Sequence, residues 1–367
     1  MNTMKRTNSF FFFQNHIYFL IICFSVCLFL CSCDRNRSSV VSNSDTNDST
    51  EYIDFSISDS EQFSDTKLNI ALITKGYDSS YWESLIKGAR NSAEDNNVNI
   101  LFAGIRNENN TDKLAELIEK SIDLKVDAIV LSPADTIEIN TAISKALSSG
   151  IHIVYVDTIL NGSNFDACYM TDNIEAGRIV ATEMIKKLQA CGHCSDEELI
   201  IGIEIGSLTS QTIIERLAGF NEYWANNAPA CWNVVDHILC NEGQPDVAYT
   251  QCLDLMSSCD NLCGLIGLNN GSTVGMCKAI KERNRKDLAI IGFDYSTEIA
   301  ELIMDKEYNV STMVQCQYDM GYNGVTAAVN ICNGEFGQFK YFDTGIAKID
   351  SQNYNSSYVK KLVSTDK

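Results

Sequence analysis

From Leu68 onward the chain alternates short apolar runs with stretches of helical spacing, and this rhythm constrains its fold more than any other feature. "LNIALIT" precedes "YWESLIKGARNSAEDN", "VNILFAG" precedes a helix near "TDKLAELIEKSID", and "DAIVLSP" precedes one near "EINTAISKALSSG" before "IHIVYVD". Such runs, with crossovers of about 25–30 residues, are the signature of parallel strands, because a parallel pair needs a long connection. After "ACYMTD" and a helix from Ile174 to about Ala190 the pattern restarts, with strands predicted at "LIIGIEIG", "WNVVDHILC", "LCGLIGL" and "LAIIGFD". The close is "YNVSTMVQ", a helix through "MGYNGVTAAVNICNG" and a last extended stretch. The expectation is an α/β fold of two doubly wound parallel-sheet lobes in tandem. A length of 367 residues allows two cores.

The first 66 residues differ in kind. Lys5 and Arg6 precede an apolar run ending "IYFLIICFSVCLFLCSC". From Ile17 to Cys31 it is about 15 residues, short of the roughly 20 a spanning helix needs, and it fits the core of an export signal. Leu30-Cys31-Ser32-Cys33 looks like a bacterial lipobox, which makes residues 1–32 a signal peptide and Cys33 the lipidated N-terminus. An uncleaved anchor is the other reading; either way the body lies on the outer face of the cytoplasmic membrane. Residues 33–66, rich in Ser, Asp and Asn without period, are expected to be a disordered tether. Its r.m.s. span would be roughly 30 Å.

A net charge of −20, with no clustered Lys or Arg, argues against nucleic acid. The turn "TKGYDSSYW" has neither Gly-x-Gly-x-x-Gly nor a Walker lysine, and no Gly-x-Ser-x-Gly elbow occurs. His16, His152, His193 and His237 are scattered, so no metal, cofactor or catalytic residue is expected. Ligands of doubly wound sheets bind outside the carboxyl ends of the strands. Those ends carry "SSYW", "SPAD", "VDT", "GSLTSQ", "NNGS", "FDYS" and Gln315: aromatics, carboxylates, amides and hydroxyls, with hardly a cation. That inventory suits a neutral polyhydroxy ligand, whose C–H face an aromatic covers while Asp and Asn pair with hydroxyls.

Residues 67 to about 350 resemble the type I periplasmic binding proteins of the ribose- and galactose-binding class. The resemblance is carried by "IALITKGYDSSYWESLIKGA", "VDAIVLSPAD", "IHIVYVDT", "YMTDNIEAGR", "ERLAGF", "GLNNGSTVGMCKAI", "IIGFDYSTE" and "STMVQ". It implies two Rossmann-like lobes joined by a three-strand hinge. Residues 67–171 and 316–343 would form the N-terminal lobe, and 172–315 with 344–367 the C-terminal lobe. Ring-stacking aromatics would be Tyr81 and Trp82, with Ser79 as a polar contact. Asp157 would bind hydroxyls in the first lobe, Asn269 and Asp294 in the second, and Gln315 at the hinge. The chain departs from ribose binders at Thr158 and Ile214, where they have Arg, and near Gly243, where they have an aromatic. Thr158 is kept as a ligand contact, and ribose itself is not expected. Arg106 is read as a solvated loop residue.

The resemblance implies a lipid-anchored, monomeric binding protein that closes on a monosaccharide or related polyol and delivers it to an ABC permease. A receptor subunit presenting bound sugar to a membrane sensor kinase is the alternative. A third reading comes from Cys191-Gly-His-Cys194, the tetrad of thiol-disulfide oxidoreductases. A reactive thiolate is commonly stabilised at a helix N-terminus. This tetrad instead follows a helix and precedes Asp196, Glu197 and Glu198, so a non-enzyme is expected. Of 15 cysteines, four lie at or before Cys33. Among the rest, Cys191, Cys194, Cys231, Cys259 and Cys263 are expected at the second lobe's tip, away from the cleft. They would be disulfides or free thiols, less readily a zinc site.

Overall fold

The computed structural model describes residues 52–55, 66–106, 110–162, 165–335, 337 and 340–363. The expected signal peptide, residues 1–32, and the expected lipidation site Cys33 lie outside the described residues. The first part of the chain runs β1 (Tyr52–Ile53), β2 (Asn69–Thr74), α1 (Ser80–Asp95), β3 (Asn99–Ile105), α2 (Thr111–Asp123), β4 (Ala128–Leu131), α3 (Ile137–Ser148), β5 (His152–Val156) and β6 (Ala167–Met170). It continues with α4 (Asn173–Ala190), β7 (Leu199–Ile205), α5 (Gln211–Asn227), β8 (Trp232–Val234), β9 (Leu239–Cys240) and α6 (Pro245–Ser258). Then follow β10 (Leu262–Gly267), α7 (Asn270–Arg283), β11 (Ala289–Phe293), α8 (Thr297–Met304), β12 (Asn309–Gln315), α9 (Gln317–Cys332), β13 (Tyr341–Asp343), β14 (Ile346–Asp350) and α10 (Ser357–Val363).

Two sheets result, ordered β1-β3-β2-β4-β5-β6-β13 and β14-β12-β11-β10-β7-β8, with β9 also on β7. Strands β2, β4 and β5 are parallel, as are β7, β10, β11 and β12. Helices cover both faces, which is why Ala128–Leu131 and Ala289–Phe293 are buried at every position. One face of the first sheet packs Leu101, Leu114, Ile118 and Ile143; the other packs Leu72, Leu85, Val130 and Val325. The second sheet repeats this with Val180, Ile203 and Phe220 on one face and Leu265, Ile280 and Ile303 on the other. The chain passes between sheets after β6, after β12 and after β13.

Two expectations are corrected. Part of the supposed tether is ordered: Tyr52 and Ile53 pair antiparallel with Ile105 and Gly104 at the edge of the first sheet. Phe55 is buried in that sheet's core, the Asp54 carboxylate meets Lys120 Nζ at 2.8 Å, and Lys113 Nζ stands 4.1 Å over the Tyr52 ring. The apolar residues Tyr52, Ile53 and Phe55 are few, but an open strand edge supplies the backbone partners they need. The single strand expected over "WNVVDHILC" is two strands. β8 pairs Trp232 with Leu199, whereas β9 pairs Leu239 with Glu204, a register two residues further along. The exposed Asp236 and His237 occupy the interruption.

Candidate ligand cleft between the lobes

The expected site residues stand at or just past the carboxyl ends of the strands. Asp157 follows β5 and Asp294 follows β11, and both adopt left-handed backbone, with φ of 68° and 64°. Such a conformation is uncommon for a residue with a side chain, and held strain of this kind clusters at functional sites. Both are held the same way: the Asp157 N–H donates to Tyr169 O at 3.0 Å, and the Asp294 N–H to Met313 O at 2.7 Å. Each lobe thus turns one buried carboxylate out from the end of its sheet.

The first-lobe carboxylate is fully engaged. Asp157 Oδ1 accepts from the Tyr81 hydroxyl at 2.5 Å. Its Oδ2 accepts from Thr158 Oγ1 at 2.7 Å and Ser132 Oγ at 3.2 Å, and pairs with Lys75 Nζ at 3.1 Å. Lys75 also donates to Thr158 Oγ1 at 2.7 Å. Burial opposes the charge on Asp157, but the Lys75 ammonium and the Tyr81 and Thr158 hydroxyls hold its carboxyl below the usual range. Burial and then Asp157 push the Tyr81 phenol well upward, so it remains a donor.

The second-lobe carboxylate is differently placed. Asp294 Oδ1 accepts from Gln315 Nε2 at 2.9 Å. Burial raises its pKa despite Arg216 and Gln315, which pull the other way. Arg216 is itself buried, its guanidinium 3.8 Å over the Phe293 ring. It donates through Nε to Asn173 Oδ1 and through a terminal nitrogen to Leu268 O, both at 2.9 Å. Burial lowers its pKa, while Asp294, Tyr81 and Asp157 act to raise it. Tyr81 in turn feels Asp157, Asp294 and Arg216. Groups from both lobes therefore share one electrostatic environment, and Ser80 Oγ donates across to Tyr295 O at 2.9 Å.

The structure brings Tyr81, Asp157 and Thr158 together in one network and Asp294 with Gln315 in another. Asn269 caps α7, and its side chain lies flat over Gly206, where a Cβ would come within 2.4 Å of Nδ2. Trp82 is packed into the first lobe's core edge-on to Tyr81 (ring centroids 5.0 Å apart) and covers Gly76. Ser79 caps α1 with its side chain making no capping bond. Arg106 is an exposed rim residue on the Tyr77 ring, 3.5 Å from Asp78.

Two cleft residues escaped the reading of the sequence, and with them the expectation of a nearly cation-free site is overturned. Lys75 directly follows the "LNIALIT" strand, a position that could have been flagged. Arg216 lies inside "ERLAGF", but that segment reads equally as a solvent-facing helix turn. A separate groove of about 490 Å³, lined by Lys125, Asp127, His152 and Cys332, lies beside the opposite strand ends of the first sheet. It contains none of these residues.

The cysteine tetrad has no comparable setting. Cys191 is the C-terminal cap of α4, and all eleven described cysteines are free thiols. No group of three or more His, Cys, Asp or Glu among the described residues could hold a metal.

Two doubly wound lobes, three chain crossings and a polar cleft at the facing strand ends define a solute-binding clamp. Residues 70–336 match the family described as "Periplasmic binding protein domain". The chain belongs to that family, whose members are extracytoplasmic solute receptors rather than enzymes. It is 23% identical over 275 residues to the ribose import binding protein of Bacillus subtilis, covering 73% of this chain and 83% of that protein. It is 24% identical over 259 residues to the D-apiose import binding protein of Actinobacillus succinogenes, covering 71% and 80%. A solute-binding protein of an ABC transporter from Agrobacterium vitis with bound D-fucose superposes with a TM-score of 0.72 at 28% identity, covering 80% of this chain and 99% of that one. One from Agrobacterium radiobacter in complex with D-arabinose gives 0.74 at 23%, covering 82% and 100%. No described helix is long and apolar enough to cross a membrane.

Proposed function

We propose that this chain is a lipid-anchored extracytoplasmic binding protein that captures a monosaccharide or related polyol between its lobes and hands it to an ABC importer. The observation that carries the reading is the pair of buried carboxylates, Asp157 and Asp294, one turned out from each sheet. With Lys75 and Arg216 the charges balance, which favours a neutral ligand over an ionic one. Asp294 and Asn269 from the second lobe and the Tyr81–Thr158 side of the first would exchange hydrogen bonds with ring hydroxyls, and Trp82 would back the ring. Closure about the crossings near Thr171, Gln315 and Thr344 would withdraw the ligand from water. Sugars bound by the related proteins, D-fucose and D-arabinose among them, set the chemical class to test. Cys33 would supply the anchor, and two or more acyl chains hold a protein firmly at a membrane.

The test is a thermal-shift screen of pentoses, hexoses and polyols. A true ligand at 100 times its Kd stabilises by about 2.7 kcal/mol. Asp294→Ala should then weaken binding by roughly 10- to 150-fold, the range expected for a hydrogen bond to a charged group. A hit whose affinity survives Asp294→Ala and Asn269→Ala would place its site outside the cleft.

A further inference from the structure

We propose that Glu204, Asn241 and Ser272 form a polarity relay that fixes the Asn269 amide with its N–H groups toward the cleft, so that the ligand atom met there must be a hydrogen-bond acceptor. The inference rests on the cleft being the ligand site. Glu204 is the penultimate residue of β7, 1% exposed, between Ile203 and Ile205. Its Oε1 accepts from Asn241 Nδ2 at 2.9 Å, and the same nitrogen donates to Ser272 Oγ at 2.7 Å. The Ser272 hydroxyl donates to Asn269 Oδ1. The four residues come from β7, the turn after β9, and the start of α7.

The orientation of the Asn241 amide follows from its turn. A backbone N–H can only donate, and that of Gly243 donates to Asn241 Oδ1 at 2.9 Å. The Asn241 carbonyl therefore faces the turn, and its two amide protons face Glu204 and Ser272. Glu204 accepts at Oε1 in either protonation state, since a proton can reside on Oε2. Ser272 has a single proton. Its oxygen accepts from Asn241, and because the Asn269 atom facing it is Oδ1, which can only accept, its proton passes there. The Asn269 carbonyl is thereby committed to Ser272, which leaves the amide nitrogen, beside Gly206, as the donor end that the proposal assigns to the ligand.

The relay accounts for a costly core residue. Burial pushes the Glu204 carboxyl up to about 7, and its Oε2 is buried without a hydrogen-bond partner among the described residues. An apolar side chain would suit β7 better but would leave an Asn241 proton unpaired.

Two measurements test the proposal. Neutron diffraction from the deuterated, ligand-free protein should show the Ser272 deuteron directed at Asn269 Oδ1 and the Asn269 deuterons facing the cleft. A Ser272 deuteron directed at Asn241, or the Asn269 oxygen facing the cleft, overturns the relay. The second is titration with D-arabinose and its singly deoxy and singly deoxyfluoro derivatives, since fluorine accepts weakly but cannot donate. At one ring position wild type should bind the fluoro sugar roughly 3- to 10-fold better than the deoxy sugar. That ratio should collapse toward unity in Ser272→Ala, shrink in Glu204→Leu and persist in Glu204→Gln. A Ser272→Ala protein that melts earlier yet keeps the ratio has lost only structural support, which also overturns the relay. If D-arabinose does not bind wild type, the choice of sugar fails separately, and the neutron map alone decides.

Discussion

The two aspartates of the cleft share a backbone conformation but not an electrostatic role. Asp157 is saturated by Tyr81, Ser132, Thr158 and Lys75 and holds the first-lobe wall in place. Asp294 has the raised pKa of a buried carboxylate whose cation, Arg216, also stacks on Phe293 and bonds Asn173. Both were legible in the sequence because an Asp after an apolar strand is conspicuous. Lys75 and Arg216 were not, because a lone cation shows its partner only after folding. Glu204 lay unremarked inside an apolar run, yet it carries a pH prediction. A carboxyl whose folded pKa exceeds its unfolded one binds its proton more tightly in the native state. Its contribution is therefore complete below about pH 4.5, the unfolded value, and lost as pH rises through 7. The loss is about 3 kcal/mol at one pKa unit per about 1.4 kcal/mol. The melting temperature of wild type should fall between pH 5.5 and 8 relative to that of Glu204→Gln, measured by calorimetry. Parallel pH profiles for the two proteins would show that Glu204 does not titrate in this window.

At the scale of elements, periodicity located the strands and helices well where both faces of a strand are buried. It failed at the edges. β1 exists only because β3 presents an open edge, and β8 and β9 are separated by four residues whose two polar members, Asp236 and His237, an apolar count absorbs. Helix contacts were invisible too. In the second lobe α4 and α5 cross through reciprocal glycines: a Cβ on Gly177 would lie 1.9 Å from Arg216 O, and one on Gly219 the same distance from Ile174 O. In the first lobe Gly88 and Gly321 bring α1 and α9 together in the same manner. Both pairs are small residues on amphipathic helices, which a sequence reads as neutral. Gly177→Ala should destabilise by about 1–3 kcal/mol, the range for overpacking. It should also weaken sugar binding, because the backbone that yields is that of Arg216. Denaturant melts together with titration check this, and a stability loss with wild-type affinity would detach Arg216 from the site.

At the scale of the whole molecule, the lobes meet where the Ser80 hydroxyl donates to Tyr295 O, and Tyr81, Arg216 and Asp294 share one electrostatic environment. The thiols bear on the clamp's covalent state. Cys191 accepts from Asn309, Cys231 donates to Ser195 O, and Cys259 and Cys263 both bond Asn261. These residues flank the amino ends of β7, β8 and β10, remote from the strand ends that bear Asp294 and Asn269. Melting temperature and ligand affinity should therefore be insensitive to reductant, and Cys191→Ser with Cys194→Ser should leave affinity unchanged. A drop in affinity on reduction would link this tip to the cleft.

The alternation of apolar runs and helical spacing was enough to determine the α/β architecture and the two lobes. Those properties depend on which side chains repeat along the chain, and local periodicity records them. What meets what in the cleft was decided by tertiary structure alone. Lys75 reaches Asp157 across 82 residues of sequence, Arg216 reaches Asn173 across 43, and Glu204 reaches Asn269 through two intermediaries. Buried charges and amides take their meaning from the partner that replaces water, and that partner is set by strand order and helix packing rather than by neighbours in the chain.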